Sequence, residues 1–322
     1  MMIVRRQLVA LSALVALMGS ASAEQWPAKP VRIIYPYAAG GAGDATARLI
    51  AHRLSDALGQ PFIIENRTGA NGTIATAAVA RSAPDGETLL WAITPQIAIS
   101  PVMAKVPYDP VRDFAPISAV AINRFALVVN AKVPARTLDD FIAYVRTQGD
   151  HFTYAEGSAG SISHLAMVRL LERAGVRGTN VSYRGGGLAL TDVVAGHLPA
   201  MFSLLGDALP QAESGAIRIL AVSSEHRSPL APSLPTIAES GFPGFDATSW
   251  WGLMAPAGTP KPIVDRIAAE VARAAKDPAI AAQLANLGVD PVGSTPAEFA
   301  AMISDDIRSW AEAVKLAGLE AK

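Results

Sequence analysis

Three short segments rich in glycine and small residues could bind a ligand through their backbone amides. They are residues 37–44 (YAAGGAGD), 156–164 (EGSAGSISH) and 183–192 (YRGGGLALTD), and each follows an apolar run typical of a strand and precedes a helical pattern. Small residues let a ligand approach the backbone closely, and the amides of a helix N-terminus favour an anion. We therefore expect the three segments to line one cleft at the carboxyl ends of parallel strands.

The first segment does not fit the common phosphate-binding motifs. It lacks the Gly-Lys-Ser/Thr of a Walker loop, and Gly41 and Gly43 are followed by Thr46 where a dinucleotide motif needs a third glycine. Asp44 also opposes a densely charged phosphate. A carboxylate would satisfy the same amides, so two interpretations stay open: an anion-binding loop and a merely tight turn.

The sequence shows no catalytic or metal-binding set. It has no cysteine, and its five histidines form no H-E-x-x-H pair. No Gly-x-Ser-x-Gly motif surrounds its serines, and a net charge of −1 argues against nucleic acid. We predict a binding protein without metal or cofactor. The alternative is an exported enzyme that uses His164 as base and a nearby serine as nucleophile.

The N-terminus has the pattern of an export signal. Arg5 and Arg6 precede an apolar stretch at 8–18, and the sequence Ala21-Ser22-Ala23 supplies a cleavage site of small residues. The apolar stretch is shorter than the roughly 20 residues of a membrane span, although an uncleaved anchor stays an alternative. We predict a signal peptide over residues 1–23, cleaved after Ala23, and a periplasmic mature protein.

The rest of the chain alternates between β-branched apolar runs and amphipathic helical stretches. This alternation predicts an α/β protein in which mostly parallel sheets are flanked by helices. Two long, extended, proline-containing segments, 105–130 and 241–260, suit strands that cross between two domains. We predict a discontinuous first domain made of residues 24–123 and 245–322, and a second domain made of residues 124–244.

Longer motifs resemble the Bug-type substrate-binding proteins of tripartite tricarboxylate transporters. From about Trp26 onwards they are PVRIIYPYAAGGAGDATAR, FIIENRTGANGTIATAAVARSAPDGETLL, VPYDPVRDFAPIS, HLPAMFSLLGDALP, RILAVSSEHRSPLAPSLPTIAESGFPGF and SWWGLMAPAGTP. The resemblance implies a two-domain clamp of the type II periplasmic binding proteins. Such a clamp closes on a small organic acid and delivers it to membrane transporter subunits; we expect a monomer. A ligand-sensing partner of a membrane receptor would use the same clamp and stays an alternative.

The resemblance also implies where the ligand binds. In the family, the backbone of the first loop contacts a carboxylate, partly through water, and the second loop and a stretch matching 203–207 complete the site. From these matches and from the three segments, we predict as ligand-binding residues Tyr37, Ala39, Gly40, Gly41, Asp44, Thr94, Glu156, Ser158, Gly160, Ser161, His164, Gly185, Ser203 and Asp207. We also expect bulky side chains at Gly41 and Gly160 to impair binding.

The second loop departs from the family pattern at its start. Glu156 and Gly157 stand where the family usually has small hydroxyl residues. If Glu156 faces the cleft, it repels a second ligand carboxylate and favours an amine, an amide or a neutral group. It could equally be a solvated acid or a partner of Arg184. For His164, direct ligand contact and bracing of the loop both stay open, and Tyr37 and Trp250 could line the cleft or belong to the core.

Overall fold

The computed structural model describes residues 26–321. The predicted signal peptide and its cleavage site lie outside this range. Within it, no helix combines the length and the apolar character needed to cross a membrane.

The described chain contains two β-sheets. Their strands are β1 (Val31–Tyr35), β2 (Phe62–Asn66), β3 (Thr88–Ile93), β4 (Phe114–Asn123), β5 (Phe125–Asn130), β6 (Thr153–Glu156), β7 (Thr179–Ser182), β8 (Ala200–Leu204), β9 (Ile217–Val222), β10 (Ser249–Pro256) and β11 (Asp290–Pro291). The first sheet has the order β11-β4-β10-β3-β1-β2, and the second has the order β7-β6-β8-β5-β9.

Helices separate most of these strands. They are α1 (Ala42–Leu58), α2 (Thr73–Ala80), α3 (Ser100–Met103), α4 (Leu138–Gln148), α5 (Ile162–Arg173), α6 (Gly186–Ala195), α7 (Leu205–Glu213), α8 (Lys261–Lys276), α9 (Pro278–Asn286) and α10 (Pro296–Leu316). Short 3₁₀ turns at Ala70–Gly72 and Gly149–His151 and a π turn at Pro95–Ile99 complete the set. The predicted α/β class with two sheets is confirmed.

Both sheets mix parallel and antiparallel pairs. β1 runs parallel to β2 and β3, and β6 runs parallel to β7 and β8. By contrast, β10 is antiparallel to β3 and β4, and β5 is antiparallel to β8 and β9. Only Arg124 separates β4 from β5, so the chain passes directly from one sheet to the other. Each crossing strand lies in the middle of a sheet and runs antiparallel to its neighbours. The sheets therefore contain fewer parallel pairs than predicted.

The C-terminal helix contacts the apolar cores of both sheets. Phe299 and Ile303, near the start of α10, pack with Trp250 beneath the first sheet. Trp310 and Val314, near its end, belong to the core of the second sheet. The predicted domain bounds stay a prediction, but the second half of α10 packs on the part of the chain that they assign to the other domain.

Local sequence signals explain how the three glycine-rich segments are placed. Each lies between a strand and a helix: β1 and α1, β6 and α5, and β7 and α6. α1 buries an apolar stripe and ends before Gly59, its C-cap, which has a φ of +74°. The segments consequently follow the carboxyl ends of parallel strands, which brings helix N-termini to one edge of each sheet.

Candidate functional site

A cavity of about 680 Å³ lies between loops that belong to the two sheets. Tyr37 and Ser100 line it on the side of the first sheet, and Ser158, Gly185 and Ser203 line it on the side of the second. Ligand cavities commonly range from about 300 to 1,000 Å³. The space therefore suits a small organic molecule.

The second loop presents unused backbone amides to this cavity. The Ser163 hydroxyl accepts a hydrogen bond from the Gly157 amide at 3.0 Å, and the Ser161 hydroxyl caps α5 by accepting from the His164 amide at 3.3 Å. These side chains fix the loop from within. The amides of Ser158 and Ala159, both exposed cavity residues, donate to no atom of the described chain. The loop can therefore offer two N–H groups to an anion.

The backbone conformation explains the glycine at position 160. Gly160 has a φ of +75°, and an added Cβ would collide with the Met103 side chain. Other residues reach such angles only at a cost of about 1–2 kcal/mol. Gly41 differs because its φ is −86° and an added Cβ would meet no atom within 4 Å. The expected backbone restriction therefore applies at Gly160 and not at Gly41.

The third segment is tied to the second by its backbone. The Gly185 amide donates to the Gly157 carbonyl at 2.8 Å, and both Gly185 and Gly186 line the cavity. α6 begins at Gly186 without a side-chain cap. The first amides of a helix have no partner inside the helix, so this N-terminus carries a partial positive charge toward the cavity.

The first segment contributes less to the cavity wall. Tyr37 lines it, whereas Asp44 is buried behind the loop and accepts hydrogen bonds from Arg48 at 2.9 Å, Asn66 at 3.0 Å and the Gly40 amide at 3.2 Å. Burial alone would raise the pKa of Asp44, but these donors outweigh it and hold the pKa below its usual value. Asp44 therefore fixes the loop as a carboxylate. Burial also raises the pKa of Tyr37 to about 12, so the phenol stays neutral.

Glu156 and His164 form a buried pair behind the second loop. Glu156 is fully buried, and its Oε1 accepts from Asn180 at 2.9 Å and from Ser182. Its Oε2 lies 3.4 Å from His164 Nδ1, which accepts from the Gly160 amide at 3.1 Å. The carboxylate thus does not line the cavity, and its partner is not Arg184. Burial lowers the pKa of the His164 imidazole, while the negative charge of Glu156 opposes that shift.

Charged side chains are scarce around the cavity. Among the described lining residues, Lys105 is the one cation and Asp207 the one acid. Asp207 has no hydrogen bond or ion pair with any described residue, and desolvation raises its pKa. No cluster of His, Cys, Asp or Glu between residues 26 and 321 could hold a metal ion. An anion in this cavity would consequently be held mainly by neutral donors, which include backbone amides and hydroxyl and amide side chains.

Comparison with known proteins places this architecture in a family. Residues 46–319 match the profile of TctC, the tripartite tricarboxylate transporter family receptor. Protein BugT of Bordetella pertussis is 35% identical over 94% of this chain and 93% of its own length. The chain belongs to the TctC receptor family. The resemblance drawn from the sequence motifs is confirmed.

Two solved structures show the same fold as this TctC family member. The R. palustris protein Rpa4515 with adipate has a TM-score of 0.78 at 34% identity, covering 91% of this chain and 98% of its own. MatC from Rhodopseudomonas palustris with bound malate has a TM-score of 0.73 at 33% identity, covering 90% and 100%. The two-sheet α/β architecture is thus that of solute-binding relatives.

The structure divides the predicted ligand residues into two groups. The first group lines the cavity and consists of Tyr37, Ser158, Gly160, Ser161, Gly185, Ser203 and Asp207. The second group lies outside its wall and consists of Ala39, Gly40, Gly41, Asp44, Thr94, Glu156 and His164. His164 braces the loop through Gly160, and the Thr94 hydroxyl accepts from the Trp250 amide at 2.9 Å. Trp250 is a core residue.

Several cavity residues of this TctC receptor were missed by the sequence analysis. They are Ala70, Asn71, Thr73, Ser100, Lys105, Asn123, Ser249 and Trp251. Asn71 has a φ of +52° in a turn directly after β2. Its Asn-Gly dipeptide is a strong turn signal and could have indicated a further loop at the same sheet edge. Ser249 and Trp251 lie on the crossing strand β10, and no local pattern marks them.

Proposed function

We propose that the protein is a periplasmic receptor that binds a small organic acid in the cavity between its two sheets and delivers it to the membrane subunits of a tripartite tricarboxylate-type transporter. The observation that carries this proposal is the pair of unused amides at Ser158 and Ala159, two exposed residues that line the cavity beside the N-terminus of α6. A carboxylate accepts hydrogen bonds from such donors without an ion pair.

The ligand class follows from the cavity and its relatives. Two relatives of the same fold hold adipate and malate, which are small dicarboxylates. The cavity is large enough for either, and its exposed Lys105 is too solvated to recognise an anion alone. We infer that at least one ligand carboxylate lies against the second loop.

We further propose that the two sheets act as lobes of a clamp. The crossings at Arg124 and at residues 223–248 join them, and α10 spans both cores. Tyr37 and Trp251 would approach the ligand from one lobe, and Gly185 and Ser203 from the other. The predicted signal peptide supports a periplasmic location, and a monomer suffices because one chain supplies the whole cavity wall.

A binding role without catalysis is favoured by the hydrogen bonds around His164. Its Nδ1 is used by the Gly160 amide, and no serine hydroxyl in the described chain bonds to the ring. The Ser161 and Ser163 hydroxyls lie 2.9 Å apart and support backbone groups instead. The described chain therefore shows no serine that His164 could activate as a nucleophile. The match to a transporter receptor favours transport over sensing.

A thermal-shift screen tests the proposed function. The mature protein is mixed with adipate, malate, other mono- and dicarboxylates, amino acids and amides. A ligand at 100 times its Kd stabilises the folded state by about 2.7 kcal/mol, so at least one carboxylate should raise Tm measurably. Calorimetry then gives its affinity. If no carboxylate raises Tm while another compound class does, the proposed ligand class is wrong.

A further inference from the structure

We propose that Glu156 and His164 share a proton behind the second loop, and that binding of a carboxylate in the cavity is coupled to uptake of this proton. This inference rests on the proposed carboxylate-binding function. It makes the two residues positioning residues, because neither lines the cavity and both act through Gly160.

The geometry leaves one proton position unfilled. Glu156 Oε1 has two donors, whereas Oε2 accepts no hydrogen bond within the described chain and lies 3.4 Å from His164 Nδ1. A neutral imidazole has a single acceptor lone pair, and the Gly160 amide uses it at Nδ1. Two acceptors therefore face each other in a buried place, where an unsatisfied carboxylate oxygen is costly.

A proton between Oε2 and Nδ1 relieves this conflict and changes the loop. It satisfies both atoms, but it displaces the Gly160 amide from the ring nitrogen. The freed Gly160 amide, which points at the ring in this structure, must turn to find a new acceptor, and an anion in the cavity that Gly160 lines supplies one beside Ser158 and Ala159. The proton also cancels the negative charge directly behind the loop. Both changes favour an anionic ligand and therefore act in the same direction.

The groups packed around the pair are either neutral or form no ion pair with it. On β6, burial and the nearby Glu156 raise the pKa of Tyr154, which therefore stays neutral. On β7, Asn180 and Ser182 are neutral donors. On the opposite side of His164, a surface cavity is lined by the charged residues Glu172 and Arg177 and by apolar residues at the end of α10. Within the described chain, Glu172 and Arg177 form no ion pair with the imidazole or with Glu156.

Calorimetry as a function of pH tests the coupling. Adipate and malate are titrated into the mature protein between about pH 5.5 and 8.5, each in two buffers with different heats of ionisation. We expect affinity to rise as pH falls, by at most about tenfold per pH unit because one proton is linked. The buffer comparison should show proton uptake approaching one per ligand molecule bound.

Two charge-removing variants separate the pair from a general charge effect. In Glu156→Gln, the side-chain amide can donate to His164 Nδ1 and so imitate the protonated pair. We expect high affinity at every pH and no proton uptake. Glu172→Gln removes an exposed carboxylate from α5, the helix that carries His164. This variant should keep the same dependence of affinity on pH as the parent protein. An unchanged slope in Glu156→Gln would overturn the inference.

A ligand-free measurement keeps the inference independent of the choice of probe. In ¹⁵N NMR, His164 should carry its proton on Nε2 at high pH and gain one at Nδ1 at lower pH, and the Gly160 amide should shift at the same midpoint. Identical titration of His164 in the parent and in Glu156→Gln would refute proton sharing. Carboxylate binding with no pH dependence refutes the coupling alone, whereas absence of carboxylate binding refutes the proposed function and the coupling with it.

Discussion

The first and second loops each carry a buried acid at one end, yet the two acids are in opposite situations. Asp44 accepts from a guanidinium, a side-chain amide and a backbone amide. Glu156 accepts from Asn180 and Ser182 on one oxygen only, and its other oxygen faces a ring nitrogen. Similar sequence patterns thus place a fixed carboxylate behind one loop and a carboxylate with room for a proton behind the other.

Because Asp44 and Glu156 are about equally buried, the difference between them lies in the hydrogen-bond donors around each carboxylate. Both side chains are at least nine-tenths buried. Enough donors stabilise the charged form, and a missing donor leaves a site that a proton can fill. The first loop should therefore keep its shape across the neutral pH range, whereas the second should respond to pH and to an anion.

The largest effect is expected from a side chain at Gly160. Gly160→Ala must strain a φ of +75° and displace Met103, so the loop should leave its binding geometry. We expect carboxylate affinity to fall by roughly ten- to a hundredfold, which corresponds to about 1.4–2.8 kcal/mol. Calorimetry measures it.

A matched control exists at the other end of the same helix. Gly175→Ala also strains a positive φ, of +64°, but meets no atom within 4 Å and lies away from the cavity. It should leave affinity unchanged. Gly41→Val extends the comparison to the first loop: its backbone tolerates valine, so any loss of affinity there would report direct ligand contact. Normal binding by Gly160→Ala would contradict the role assigned to the second loop.

Removal of the first-loop acid should mainly reduce stability. Asp44→Asn breaks the pair with Arg48 and weakens the hydrogen bonds that the buried carboxylate accepts from Asn66 and Gly40, which costs about 1–3 kcal/mol. Because the folded-state pKa of Asp44 is lowered, its contribution is present above the unfolded-state pKa of about 4 and is lost as pH falls through the folded-state value. Denaturant unfolding should thus give Asp44→Asn a lower free energy of unfolding than the parent protein at pH 7, and the difference should shrink below about pH 4. A deficit that does not change with pH would contradict this assignment.

A third carboxylate, Asp306 on α10, differs from both acids because desolvation outweighs the hydrogen bond that it accepts. It accepts from Trp250 Nε1 at 2.6 Å, yet desolvation raises its pKa to about 7. Because the folded-state pKa of Asp306 is raised, its carboxyl contributes most to the stability of the fold below the unfolded-state pKa of about 4. That contribution is lost as pH rises through 7. Asp306→Asn should therefore melt higher than the parent at pH 8, by about 2–4 °C per kcal/mol gained.

The neighbouring acid provides the control for Asp306. Asp305→Asn removes an exposed carboxylate paired with Arg308 and should change Tm little at either pH. Thermal unfolding at pH 5 and pH 8 distinguishes the two variants. Equal behaviour of Asp305→Asn and Asp306→Asn would show that burial does not govern the Asp306 carboxyl.

The smallest effect is expected at Asp207, the acid that lines the cavity. Its charge opposes a second ligand carboxylate and favours an ammonium or amide end. Neighbouring atoms partly desolvate the carboxyl, but its solvent-accessible side chain still lets water screen much of the charge. Asp207→Asn should strengthen dicarboxylate binding by about two- to tenfold and weaken an amino acid by a similar factor. Competition calorimetry with malate and aspartate checks this, and equal shifts for both ligands would contradict it.

Much of the fold was predictable because its signals are local. The apolar stripe of α1 and the capping box of Thr137 and Asp140 each depend on residues only a few positions apart in the sequence. The strand directions of β5 and β10 were not predictable from such patterns. They depend on where the chain crosses between sheets, which involves residues far apart in sequence.

The cavity residues that lie on loops were predictable from the sequence. The residues whose role depends on which face of a strand they occupy were not. Ser158, Gly160 and Gly185 follow from the strand–turn–helix pattern. Glu156 was less clear, although side chains alternate along a strand and Glu156 therefore shares the face of the core residue Tyr154. That alternation was the available sign that its carboxylate points away from the cavity.

The most direct test of the central claim is a crystal structure of the mature protein with adipate or malate, whichever binds more tightly. We expect one ligand carboxylate in the cavity between the sheets, with its oxygens about 2.7–3.2 Å from the amide nitrogens of Ser158 and Ala159. We expect no direct contact between the ligand and Glu156. A ligand bound outside this cavity, or a carboxylate held there only by Lys105, would contradict the claim.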